Sequence, residues 1–505
     1  MINNITTWLD EVAERFPDKT GYADEEKTLS FSQMRNAVIS TAYRIYEHGL
    51  FKKPVAVFME KGVDALSAMF ATAYSGNFYT PIDIHMPAAR VQKILEILQP
   101  ALIITKDGLL EQWQATATDD IPCITLQEPA ALSDAQMQAL LAQRERCCDT
   151  DLLYVLFTSG STGTPKGVTI CHQSVVDYID FIVKTFGFTE KDSLGNQAPF
   201  YFDNSILDIY TSLKTGASLY IIPEKLFAWP IPLLEYLEQN HINCIFWVPT
   251  ALIFLSKLRA LKSKDMSGVL TKILFCGEVM PNKHLNYWRK YIPDALYANL
   301  YGPTEITDAC TYYIVDREFS DEEPLPIGIP MKNTDILVLN EKDELVTDEA
   351  GGSGELCVRG TSLSKGYYRN PEKTQAAFVQ NPLNQAYPEL IYRTGDVVKY
   401  NDRGEILYLS RKDFQIKHLG YRIELGEIET AVSSIPEISL NCCLYDDKRD
   451  KLVLFIEGDM QLDEIQNRIS SIIPEYMQPN RLICMEKMPL NANGKIDRVA
   501  LKQMI

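Results

Sequence analysis

Residues 152–168 read LLYVLFTSGSTGTPKGV. The first six form an apolar run of β-branched, aliphatic and aromatic residues of strand length. Residues 158–167, TSGSTGTPKG, then hold glycines, hydroxyl side chains, one proline and one lysine, almost none of which packs in a core. A loop of this kind offers backbone N–H groups and hydroxyls as donors, and Lys166 adds a cation. That is the chemistry that holds phosphate oxygens. A helix is expected from near His172. The nucleotide P-loop pattern G-x-x-x-x-G-K-[ST] does not fit, because Lys166 follows Pro165 and precedes Gly167. A plain surface loop is the alternative on this segment alone.

Around this loop, strands alternate with helices. Between about residues 53 and 305, PVAVFM, FYTPID, ALIIT, LLYVLF, SLYII, CIFWVP, KILFCG and LYANLYG read as strands. GVDALSAMFATAYSG, VVDYIDFIVKTFG, SILDIYTSLKTG and PLLEYLEQN read as helices. This alternation predicts an α/β fold with parallel sheets covered by helices on both faces. Ser133 is placed to cap a helix over 134–146. After residue 324 short strands with Gly, Asn and Asp turns predict a small β subdomain, about 325–411. From Phe414 a compact α+β pattern follows. The expected division is a large N-terminal part, 1–411, and a small C-terminal domain, 412–505, joined by a hinge near Asp413.

With 505 residues the chain is long enough for roughly two to four domains. Its hydrophobic content of 46% and charged content of 23% are those of a globular protein. The net charge of −18 argues against nucleic acid or an anionic membrane as the main partner. The 11 cysteines are scattered without a CxxC, and the six histidines lack ligand spacing. This reads as a reduced, cytoplasmic chain without a disulfide frame or zinc site. The start, MINNITTWLDEVAERF, has Trp8, Val12 and Phe16 on one side of a helix and no signal-peptide pattern. The longest apolar run, 242–255, is too short to span a bilayer and contains a proline, so no membrane insertion is expected.

The glycine loop does not stand alone. YFDNSILD (201–208), YGPTE (301–305), GELCVRG (354–360), YRTGD (392–396), SRKDFQIKHLGYRIELGEIE (410–429) and PLNANGKID (489–497) follow it in order. Together they resemble the motif series of the adenylate-forming superfamily, which includes acyl-CoA synthetases, luciferases and nonribosomal peptide adenylation domains. The resemblance covers essentially the whole chain. It implies a two-step reaction using ATP and Mg²⁺: a carboxylate attacks the α-phosphorus to give an acyl-adenylate and pyrophosphate, and a thiol then takes the acyl group.

By the same resemblance Thr158, Ser159, Gly160, Ser161, Thr162, Gly163 and Lys166 surround the pyrophosphate. Thr304 touches the α-phosphate, Glu305 holds Mg²⁺ and Tyr301 packs on adenine. Asp396 takes both ribose hydroxyls, as a carboxylate can accept two hydrogen bonds, with Tyr408 and Arg411 nearby. Gly277, Glu278, Asn299 and Gly302 carry over as further nucleotide-binding positions. Lys495 bridges the substrate carboxylate and ATP, a task suited to a flexible point charge. Rotation about Asp413 exchanges Lys495 for a face carrying Gly420, so that one site runs both steps.

Asp203 falls where amino-acid-activating members keep an aspartate for the substrate ammonium, although it could instead cap the following helix. The acyl pocket is expected to be lined by Asn204, Leu207, Phe246, Leu274, Cys276, Leu300, Asp308 and Ala309. FDNSILDIYTSL and ILFCGEVMP resemble D-alanine–carrier-protein ligases most. Bulky Phe246 and Trp247, and a second carboxylate at Asp308, disturb that match. D-alanine is one candidate substrate. The partner expected is a separate phosphopantetheinylated carrier protein, with coenzyme A second. The alternatives are an acyl- or aryl-acid CoA ligase, which Asp203 argues against, and a non-catalytic adenylation-like subunit. Intact Lys166, Glu305, Asp396 and Lys495 argue against the latter.

Overall fold

The computed structural model describes residues 2–116, 121–160, 164–347, 352–412, 415–490 and 496–505. The apolar runs become the strands of two large sheets. One has six strands in the order Cys123–Thr125, Leu102–Thr105, Pro54–Phe58, Phe78–Ile82, Leu152–Thr158, Lys166–Cys171. The other has nine strands, with Ser193–Asn196, Cys244–Trp247, Lys272–Phe275 and Leu296–Tyr301 in parallel at its centre. Every residue of Pro54–Phe58 is buried, as a strand covered on both faces requires. Between the sheets lie helices that are apolar nearly all round. Val63–Tyr74 is buried except at Asp64, and Ser205–Thr215 except at Lys214. The hydroxyls of Tyr79 and Tyr210, 2.8 Å apart, tie the six-stranded sheet to the second of these helices.

The structure departs from the sequence reading in one respect around the opening segment. Leu152–Thr158 and Lys166–Cys171 pair antiparallel, so the glycine loop closes a hairpin, and the helix His172–Phe186 starts only after the returning strand. No helix N-terminus therefore stands directly behind the loop. Ser133 caps the helix Asp134–Glu145 in a capping box with Gln136.

A five-stranded antiparallel sheet follows, built from Thr334–Leu339, Ser353–Gly360, Leu390–Tyr400, Phe378–Gln380 and Ile406–Arg411. Beyond it, a hairpin of Gln415–His418 and Tyr421–Glu424 leads into the helix Leu425–Val432 and a three-stranded sheet. Residues from Ile416 onward bury their own apolar cluster around Ile423, Ile428, Leu454, Ile465 and Ile469. This C-terminal part meets the rest largely through charged and polar groups, with the Tyr421 ring set edge-on to Phe202 at 4.8 Å. Arg90 on the helix Ala88–Leu98 pairs with Glu427, both nearly fully buried. An interface of this polar kind permits relative motion of the parts.

Candidate active site

Parallel strands deliver their carboxyl ends side by side, where ligands bind in open α/β sheets. Cys244–Trp247 runs into Val248, Lys272–Phe275 into Cys276, Gly277 and Glu278, and Leu296–Tyr301 into Gly302 to Glu305. Gly302 is required by packing: a Cβ there would lie 2.6 Å from the Ala309 Cα and the Asp308 carbonyl oxygen. Without it the 307–309 turn could not fold back over the strand end.

On the nucleotide side, charged groups meet in pairs. Glu305 is fully buried; its Oε1 accepts from the Tyr367 hydroxyl at 2.7 Å and its Oε2 from Arg422 Nη1 at 2.6 Å. Burial opposes this charge, but Arg422 and Lys166 together hold the carboxyl down at about 2. Lys166 Nζ lies 3.7 Å from Glu424 Oε1 and 5.3 Å from the centre of the Tyr367 ring. Burial and the neighbouring Arg422 push its ammonium down, while Glu305 and Glu424 pull it back. Asp396 accepts from the Tyr301 hydroxyl on one oxygen and from Arg411 Nη1, at 2.7 Å, on the other. Tyr408 stands half-buried on the strand paired with that of Asp396. The Asn299 amide donates to the Pro326 carbonyl at 2.8 Å.

The glycine loop is met by the C-terminal hairpin. Ser159 donates its hydroxyl to the Arg422 carbonyl at 2.8 Å, and Thr158 Oγ1 is buried with no partner among the described residues. Gly160 is buried beside it. At the hairpin tip, Leu419 and Gly420 both adopt left-handed backbone, as a two-residue turn demands. A Cβ on Gly420 would sit 2.8 Å from Val248 Cγ1, so only glycine lets the tip approach the large part this closely. The Gly420 amide donates to Glu278 Oε1 at 2.7 Å, while Glu278 Oε2 accepts from the Thr250 amide and hydroxyl. Glu278 thus joins the two parts of the chain.

The residues expected in the acyl pocket come together. Leu207, Phe246, Leu274, Cys276, Leu300 and Ala309 are buried in one apolar cluster. Asn204 is at the start of the helix Ser205–Thr215, its amide 3.4 Å from the Cys276 carbonyl. Asp203 is not the helix cap; that position is Asn204, and Asp203 Oδ1 accepts from its neighbour's amide at 3.1 Å. Burial raises the Asp203 carboxyl, opposed by a hydrogen bond from Thr304. Asp308 is 1% exposed, and its Oδ2 accepts from the Tyr178 hydroxyl at 2.7 Å. Trp247 corrects the sequence reading. Alternation along Cys244–Trp247 sends it to the opposite face, where it packs in another cluster and donates Nε1 to the Gly195 carbonyl. Phe246 instead packs with Leu207, Leu274 and Leu300.

Ser161, Thr162, Gly163, Asp413 and Lys495 lie outside the described residues. Two site residues were missed by the sequence reading: Arg422, on Glu305, and Lys417, whose Nζ stands 5.5 Å from the centre of the Tyr301 ring. Their signal was the basic residues at alternate sides of the Gly420 turn in IKHLGYRIE. A buried ionised carboxylate at Glu305, with the unpartnered Thr158 hydroxyl and the Lys166 ammonium, is a donor set that fits a hard divalent cation and phosphate oxygens.

The strand ends thus carry a glycine loop on one side and buried aspartates on the other. The model of the AMP-binding enzyme family matches residues 9–368, and the chain belongs to that family. It is 32% identical to tyrocidine synthase 1 of Brevibacillus parabrevis, over 98% of this chain and 44% of that protein. It is also 32% identical to the D-alanine–D-alanyl carrier protein ligase of Lacticaseibacillus casei (strain BL23), over 99% of each chain. The chain thus spans less than half of the first relative and nearly all of the second. In fold it is similar to the Vibrio cholerae adenylation domain AlmE, solved with glycyl-adenosine-5'-phosphate, with a TM-score of 0.86, 24% identity and coverage of 100% and 98%. No helix among the described residues is long and apolar enough to cross a membrane.

Proposed function

We propose that the protein activates an amino acid with ATP as an aminoacyl-adenylate and passes the aminoacyl group to the phosphopantetheine thiol of a carrier protein. One observation carries this reading: Thr304, beside Glu305 at the nucleotide side, also acts on Asp203 and opposes the rise of its carboxyl, so the anionic end of the acyl pocket adjoins the phosphate side. An amino acid with its ammonium on Asp203 presents its carboxylate toward that side. Two anions must then approach, and cations and amide dipoles stabilise the charge that builds up.

In the first step a substrate carboxylate oxygen bonds to the α-phosphorus as the bond to pyrophosphate breaks. The glycine loop, with Lys166, binds the departing phosphates; Thr304 donates to the α-phosphate; Lys495 bridges carboxylate and nucleotide. Asp396, Tyr301, Tyr408 and Arg411 hold ribose and adenine. Mg²⁺ bound at Glu305 would supply charge neutralisation on the phosphates. In the second step the thiol sulfur bonds to the acyl carbon, AMP leaves with the bonding electron pair, and the thiol proton goes to solvent.

The arrangement in this structure fits the second step better. Arg422 occupies Glu305, and the Gly420 turn closes against Val248 and Glu278. Binding ATP then requires Arg422 to leave Glu305, and the polar contacts of the C-terminal part make that withdrawal feasible. Amino-acid-dependent pyrophosphate exchange across L-, D- and β-amino acids tests the reading. Exchange that requires an amino acid is expected. Activation of fatty or aryl acids as well as of any amino acid would overturn it.

A further inference from the structure

Resting on that reading, we infer that Asp308 is a second substrate-binding carboxylate, which selects an amino acid bearing a side-chain ammonium. The α-ammonium goes to Asp203 and the second ammonium to Asp308. The substrate class is thus a short diamino acid such as diaminopropionate, diaminobutyrate or ornithine.

Asp308 is 1% exposed, and its Oδ2 is used by the Tyr178 hydroxyl. Its Oδ1 is buried with no hydrogen-bond partner among the described residues. Protonation does not remove the deficit, since an O–H at that atom would lack an acceptor just as the ionised atom lacks a donor. Among the described residues neither Asp203 nor Asp308 forms an ion pair, in contrast to Glu305 and Asp396. Buried unpaired carboxylates are costly, and a purely structural position would be filled more stably by an apolar residue.

Placement makes the group a ligand and not an accident of packing. Thr307 and Asp308 are consecutive non-glycine residues in left-handed backbone, and this turn carries Asp308 back into the interior over Gly302. The charge of Asp203 reaches Asp308 and, after burial, is the largest influence holding its carboxyl well above the usual range. Asp308 in turn acts on the Cys276 thiol and the Tyr178 hydroxyl. The remaining walls, Leu207, Phe246, Leu274 and Leu300, offer no donor. A neutral amino acid brings one ammonium and leaves Asp308 unpaired. A diamino acid neutralises both carboxylates and satisfies Oδ1. Leu207, Phe246, Leu274 and Leu300 are each at most 1% exposed, which argues for a short side chain.

The experiment is pyrophosphate exchange by the full chain with diaminopropionate, diaminobutyrate, ornithine, alanine, serine and valine, repeated on Asp308→Asn. At least one diamino acid is expected to exceed alanine in kcat/KM by about 100-fold, the scale of discrimination when a site built to bind a donor is left unpaired. Asp308→Asn should reduce that ratio to near one or below. Alanine or another neutral amino acid on top, with the ranking unmoved by Asp308→Asn, overturns the inference and leaves amino-acid activation standing. Exchange with no amino acid removes both. The unmodified protein's ranking alone decides the matter should the variant fail to fold, which its thermal melting would reveal.

Discussion

The two halves of the site treat buried carboxylates in opposite ways. On the nucleotide side each is met by a cation: Glu305 by Arg422, Asp396 by Arg411. In the acyl pocket Asp203 and Asp308 are buried too, yet no ion pair reaches either among the described residues. Paired charges hold a conformation, because breaking such a pair strands a buried charge. Unpaired charges wait for a ligand and raise its selectivity. The first half is therefore a candidate switch between steps, and the second a candidate substrate filter.

Four expectations would break or sharpen this contrast, in falling order of effect. Lys495→Ala should lower pyrophosphate exchange by at least about 1,000-fold, since a preorganised charge on the transition state is removed. Transfer from preformed adenylate should change little, as rapid-quench assay of the two steps would reveal; equal losses would defeat the two-arrangement account. Asp203→Ala should raise the KM for the amino acid about 100-fold, the order expected when a desolvated charge pair loses one partner. The KM for ATP should stay within about twofold, because Asp203 belongs to the filter and not the switch.

Arg90→Met removes one partner of the buried pair with Glu427 that clasps the C-terminal part. Thioester formation should fall about 10-fold with little loss of exchange, a change a merely destabilised protein would not show selectively. The smallest effect is on acid stability. The Glu305 carboxyl lies at about 2 in the folded chain against 4.5 when unperturbed. Its contribution, up to about 3 kcal/mol, is complete above pH ~4.5 and is lost as pH falls through ~2. Acid unfolding of Glu305→Gln should lack that component; identical acid titrations of the two proteins would remove Glu305 from the switch.

Much of this was legible in the chain. Apolar runs such as PVAVF predicted buried strands, and the resemblance carried by YGPTE and YRTGD singled out Tyr301 and Asp396, whose side chains are hydrogen-bonded. The facing of Trp247 is legible too, since period-two alternation along its strand separates it from Phe246. What could not be read was pairing across distance. Arg422 and Glu305 are 117 residues apart, and IKHLGYRIE reads locally as a hairpin with solvated charges. Only the docking of that hairpin makes Arg422 a buried partner of Glu305. The hairpin closed by the glycine loop was hidden similarly, because KGVTIC is too short and mixed to announce a strand before the helix at His172.

The central claim is that Arg422 and the bound nucleotide compete for Glu305, so that one pairing belongs to each step. The most direct measurement is the pair of half-reaction rates in Arg422→Ala, adenylate formation by pyrophosphate exchange and aminoacyl transfer to a phosphopantetheinylated carrier protein in single turnover. The account predicts exchange equal to or faster than that of the unmodified protein, because the competitor of the nucleotide is gone, and transfer slower by about 10-fold, for loss of a buried charge contact. Exchange that falls as far as transfer, or transfer that does not fall, would contradict it.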